Sequence, residues 1–191
     1  LFRSGNGLDN NWYLDGNNAS VVSSDGNKTT VQMGSGYRGD LWLARSGKGK
    51  IVNVTPADYR YFAIKVGFKS QLVPGKNKPN GCIKLEIFDD GIKKIGPEYF
   101  GTGGDANNRY EILGASEIST TEPNVLYYDL QSKYKTVTPT DWNQVFDLVQ
   151  CKFVIADFPE TAQTYDLYWI RSFKSIEELQ AFVDSENNTN E

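Results

Sequence analysis

The sequence predicts an all-β domain: an antiparallel β-sandwich of jelly-roll type with one short C-terminal helix. Three observations carry this expectation. Apolar and polar residues alternate with period two in one segment after another, turn residues punctuate those segments, and a single stretch near the C-terminus has helical spacing. A chain of 191 residues suits one large β domain that needs no metal or disulfide to fold. Aromatic residues make up 13%, with 18 Gly beside them, a pairing that favours strands joined by tight turns.

The cleanest strand is Tyr61 to Phe68, where Phe62, Ile64, Val66 and Phe68 point one way and Lys65 the other. Leu41 and Leu43 alternate with Asp40, Trp42 and Ala44. Ile83, Leu85 and Ile87 alternate with Lys84 and Glu86. Leu126, Tyr128 and Leu130 alternate with Tyr127 and Asp129, and Val149, Cys151, Phe153 and Ile155 with Gln150 and Lys152. Less regular strands are expected near Trp12–Leu14, Ser20–Ser23, Thr29–Met33, Ile51–Val54, Arg109–Leu113 and Tyr165–Phe173. Turns are expected at Asp15-Gly16-Asn17-Asn18, Asp25-Gly26-Asn27, Asp89-Asp90-Gly91 and Gly101 to Asp105, and longer loops at Lys69–Gly81 and Phe100–Asn108.

Ser175 is a fair N-cap with Glu178 three residues on, and Ile176, Leu179, Phe182 and Val183 share one helical face. The helix is expected over about 175–184, with a polar, frayed tail over 185–191. No repeat or break divides the chain, so residues 1–191 read as a single domain.

Several function classes are disfavoured. The net charge of −4 comes with no basic stretch dense enough to track phosphates, so nucleic acid is not an expected partner. No apolar run has membrane-spanning length. There are no histidines, which removes Ser-His-Asp triads, Cys-His pairs and most zinc sites. Cys82 and Cys151 are too few for a metal cluster, and whether they pair stays open. Glu86, Asp89 and Asp90 are better read as a strand residue and a hairpin turn than as the facing carboxylates of a glycosidase. No enzyme activity is expected. No cofactor is expected either. The sets Asp9, Asn11, Asp15 and Asp105, Asn107, Asn108 leave room for a structural calcium, although neither has EF-hand spacing.

The segment Tyr165-Asp166-Leu167-Tyr168-Trp169-Ile170-Arg171-Ser172-Phe173-Lys174-Ser175-Ile176-Glu177-Glu178-Leu179 resembles the ending of a group of jelly-roll domains in exported proteins of glycan-degrading gut bacteria. Asp58 to Val66 is similar to a strand of the same group. The resemblance implies a galactose-binding-like jelly roll of the carbohydrate-binding-module type and a place outside the cell or on its surface. Leu1-Phe2-Arg3 opens directly into polar sequence, so export would require that a signal segment has been removed. The matching residues are packing motifs, and the resemblance carries over no binding residue.

Aromatics out of phase with the core give the candidate site. If the Leu side of each strand is the core, Trp42 and Tyr127 face outward. Loop positions add Tyr37, Tyr99, Phe100 and Trp142, and Asp105, Asn107, Asn108 and Arg109 are suited to bond sugar hydroxyls beside Tyr99 and Phe100. For any one of these residues, burial under a neighbouring segment is the simpler account. Taken together they point to a non-catalytic module that captures a polysaccharide or oligosaccharide. The alternative is a structural or protein-interaction module of a larger parent protein or surface complex, and a glycoside hydrolase ranks below both.

Overall fold

The computed structural model describes residues 2–3, 13–15, 19–34, 40–44, 52–54, 58–69, 84–89, 98–100, 110–131, 146–154 and 162–189. The described elements are β1 (Phe2–Arg3), β2 (Tyr13–Asp15), β3 (Ala19–Ser24), β4 (Thr29–Met33), β5 (Asp40–Ala44), β6 (Val52–Val54), β7 (Tyr61–Phe68), β8 (Lys84–Asp89), β9 (Glu98–Phe100), β10 (Tyr110–Ile112), β11 (Asn124–Asp129), β12 (Phe146–Val154), β13 (Gln163–Phe173) and α1 (Ile176–Thr189). The fold is mostly β, with a C-terminal helix.

The strands form two sheets, and every pairing among them is antiparallel. One has seven strands in the order β10-β11-β7-β13-β4-β3, with β1 also paired to β13. The other has six in the order β2-β5-β12-β8-β9, with β6 also paired to β12. Alternation along β7 decides which face is buried. Ile64, Val66 and Phe68 enter a core cluster with Val31, Leu126, Tyr128 and Leu167. Leu41 of β5 and Leu85 of β8, both fully buried, belong to that same cluster. Each such side chain contributes about 1.5–3 kcal/mol by leaving water.

The β3–β4 turn forms where Asp25-Gly26-Asn27 predicted it. The Asp25 carboxylate accepts the amides of Asn27 and Lys28 at 3.0 Å, and Gly26 takes φ 90°, which costs a glycine little.

On β13 the register against β7 shifts between Leu167 and Trp169. The bulge adds a residue, so Leu167 and Ile170 both reach the main core while Trp169 and Phe173 go to the opposite face. There they meet Ala63, Val125 and Leu179 beneath α1, and Trp169 stands edge-on to Phe182 with ring centroids 5.2 Å apart.

Two expectations need correction. The helix does not end near 184 with a frayed tail from 185: it continues to Thr189. Glu186 explains the extension, because its carboxylate accepts the Trp169 indole N–H and the Lys65 ammonium, anchoring the last turns to the sheet. Ser175 does cap the start by accepting the Glu178 amide at 3.2 Å, but Glu178 reaches back to the amide of Lys174 instead of that of Ser175. Second, Tyr99 and Phe100 are not loop residues. They lie in β9, where pairing with β8 supplies partners for their backbone groups.

Candidate functional site

Backbone register assembles the site on the six-stranded sheet. Tyr13 is directly opposite Trp42, Trp42 opposite Lys152, Lys152 opposite Glu86 and Glu86 opposite Tyr99. Directly opposed residues in a sheet share a face. These five therefore form one row across β2, β5, β12, β8 and β9. The adjacent row is Leu14, Leu41, Phe153, Leu85 and Phe100. Because Leu41 and Leu85 are fully buried, that row is the core face, and the Trp42 row lies on the opposite one. The next row on the Trp42 face is Asp15, Asp40, Val154 and Lys84.

Chemically, the Trp42 face combines flat aromatic residue types with both hydrogen-bond donors and acceptors. Three of the five positions in the row are aromatic. Lys152 and Glu86 hold the middle, and Asp15, Asp40 and Lys84 flank it. Aromatic faces suit the C–H surface of a sugar ring, and lysine and carboxylate groups suit its hydroxyls. Sequence reasoning missed Tyr13, Lys152 and Glu86 as members of this site. Their alternation was readable, but the pairing that brings five distant segments into one row was not.

The structure thus brings Trp42 and Tyr99 together on one row and separates them from other expected members. Phe100 falls on the Leu85 row, the core side. Tyr127 belongs to the other sheet, in β11. Asp105, Asn107, Asn108, Arg109, Trp142 and Tyr37 lie outside the described residues, as do Asp9, Asn11 and Cys82. Cys151 lies in β12, opposite Ala44 and Ile87. Among the described residues, no group of three or more metal-ligating side chains is found.

A family model described as a domain of unknown function (DUF4979) matches residues 2–179. The chain belongs to this family. No curated protein and no solved structure matches it.

The other sheet of this DUF4979 domain has a different outer face. Tyr127 does point away from the main core, as its alternation predicted. It packs edge-on against Tyr61, centroids 6.1 Å apart, at the margin of the helix-covered cluster. Burial raises its phenol pKa, with the nearby Glu111 charge adding to the effect. Beside it, Arg60 donates two hydrogen bonds to Asp129 at 2.7 and 2.6 Å. These contacts order the start of β7 against the end of β11.

Farther along the same face, Asp166 accepts from the Thr30 hydroxyl at 2.6 Å and the Lys28 ammonium at 2.7 Å, with the Lys69 ammonium at 3.8 Å. Burial disfavours the Asp166 anion, but the Lys28 and Thr30 hydrogen bonds outweigh it and hold the carboxyl below its ordinary range. The same bond raises the Lys28 pKa. The Tyr168 ring reaches across to β7, with Cε2 3.6 Å from the point a Cβ on Gly67 would occupy. The Asp166 carboxylate is committed to these partners, so the cluster is a brace across β4, β13 and the end of β7.

Proposed function

We propose that this domain is a non-catalytic carbohydrate-binding module that captures a polysaccharide outside the cell or at its surface. The observation that supports it is the row Tyr13, Trp42, Lys152, Glu86 and Tyr99, a strip of aromatic and polar residue types on a sheet face turned away from the core. The fold that goes with this reading is a jelly-roll sandwich. In support, Leu41 and Leu85 of one sheet share a buried cluster with Val31, Ile64 and Leu126 of the other. Stacking of sugar rings on one face of a sheet buries little area, so affinities of roughly micromolar to millimolar are expected.

The test is affinity electrophoresis through gels containing single polysaccharides, run beside an assay for released reducing sugar. Retardation in at least one gel without sugar release is the expected result. Release of sugar that is lost in Glu86→Gln would instead make the domain a hydrolase.

A second reading, a structural or protein-interaction module, draws on the edge strand β3. Val21 and Val22 are exposed there at 45% and 60%, and its sequence Ala-Ser-Val-Val-Ser-Ser carries no charge to discourage pairing with another strand. A partner protein captured through β3, with no retardation in any polysaccharide gel, would favour it.

A further inference from the structure

The inference here rests on the glycan-binding reading and specifies the ligand of that same site. Adjacent strands stand about 4.8 Å apart, so three strand steps put Trp42 and Tyr99 roughly 14 Å apart along the row, and a fourth step to Tyr13 extends it to roughly 19 Å. Aromatic positions hold both ends, while Lys152 and Glu86 occupy the two central strands. One sugar ring covers only a fraction of this length and cannot meet both ends. A site for a single terminal sugar would gather its aromatic and polar groups around one point, whereas these are spread along a line.

Charge narrows the class further. Lys152 and Glu86 are directly opposed and cancel formally. The flanking row adds Asp15, Asp40 and Lys84. Over both rows two lysines stand against three carboxylates, a formal balance of −1, within a chain of net charge −4. Neither sum favours a polyanionic ligand. The mixed centre offers ammonium donors and carboxylate acceptors, which matches hydroxyl groups, since each hydroxyl both donates and accepts.

We infer that the row Tyr13 to Tyr99 binds an internal stretch of a neutral glycan chain, several sugar units long, laid across the strands. The outer units sit at the aromatic ends and the middle units present hydroxyls to Lys152 and Glu86. Recognition then depends on chain length and not on a free chain end.

The experiment uses the whole chain in affinity gels of galactan, xylan, mannan and polygalacturonate. The disaccharide and hexasaccharide of the polymer that retards it most are then titrated calorimetrically. Retardation by a neutral polymer is expected, with the hexasaccharide binding at least tenfold tighter than the disaccharide. Trp42→Ala and Tyr99→Ala should each bring the hexasaccharide down towards the disaccharide, while Trp42→Tyr and Tyr99→Phe, which keep a ring, retain most of the advantage. Melting curves identify any alanine variant that has lost its fold, and for such a variant Glu86→Gln decides, with a weaker hexasaccharide and an unchanged disaccharide expected. Equal affinity for the two lengths, or preference for polygalacturonate, overturns this inference and leaves the glycan-binding reading standing. Retardation by none of the polymers defeats both.

Discussion

The indole N–H of Trp169 donates to the Glu186 carboxylate at 2.7 Å, across 17 residues of sequence. The Lys65 ammonium reaches the same oxygen at 3.3 Å. Both charged side chains are largely buried, at 13% and 17% exposure. Removing the carboxylate would leave two enclosed donors without this acceptor. Glu186→Ala should therefore cost about 2–3 kcal/mol, and Glu186→Gln less, because its amide oxygen can still accept from the indole. Urea denaturation of the two variants and the parent checks the order. Equal stability of parent and Glu186→Ala would show that the last turns of α1 are not held by this contact.

The start of the same helix gives a smaller effect. Ser175 accepts the Glu178 amide, and Glu178 accepts the Lys174 amide at 2.7 Å, so two otherwise exposed backbone donors are satisfied. Ser175→Ala should destabilise by about 1 kcal/mol, and Ser175→Asp should restore most of it. A thermal melt of the two variants reads this directly, and a loss that Asp does not restore would point away from capping.

The strand most legible in the sequence is the one whose alternation is cleanest. Tyr61–Phe68 forms a strand with the bounds its pattern gave, with Ile64, Val66 and Phe68 in the main core. Thr29–Met33, one of the less regular segments, also keeps its expected bounds, although Thr29, Thr30 and Val31 are buried at successive positions. β13 was less regular because its bulge moves Trp169 to the helix side and Ile170 to the core. The length of α1 was not legible: Asn187 and Asn188 are poor helix formers, and it is the contact of Glu186 with the distant Lys65 and Trp169 that holds this turn. That Trp42 falls on the sheet face opposite Leu41 could be read from the alternation along β5. Its alignment with Tyr99 could not, because alternation fixes the face of a residue and says nothing about which strand lies beside it.

Asp166 should make stability depend on acid. Burial opposes its charge, but the Lys28 and Thr30 hydrogen bonds win and depress its folded pKa. A depressed carboxyl stabilises the folded state above the unfolded value of about 3.9 and loses that contribution as pH falls through the lower folded value. Asp166→Asn should cost about 1–3 kcal/mol near neutral pH. The gap between parent and variant should then shrink in acid, below about pH 4. Urea midpoints of both proteins at neutral pH and at about pH 3 test this, and a gap that does not change with pH would remove Asp166 as the cause.

Tyr127 and Trp42 separate packing from binding. Both are aromatics out of phase with their leucine neighbours, but they belong to different sheets. Tyr127 stands edge-on to Tyr61 at 6.1 Å and packs against the cluster of Val125, Trp169 and Phe173. Truncating it removes those contacts, so Tyr127→Ala should lower stability by about 1–3 kcal/mol. If the glycan-binding reading holds, polysaccharide retardation by the folded variant should be unchanged. Trp42 is on the row shared with Tyr13 and Tyr99, opposite the core face marked by Leu41. If that row stacks on sugar rings, Trp42→Ala should remove about 1–3 kcal/mol of binding free energy, which at millimolar affinity abolishes measurable retardation, while the melting temperature changes little. Melting curves and affinity gels on the same two variants give a crossed outcome: one variant loses stability and keeps binding, the other loses binding and keeps stability. If Trp42→Ala instead melts early and still binds as the parent does, Trp42 is a packing residue and the row is not the glycan surface.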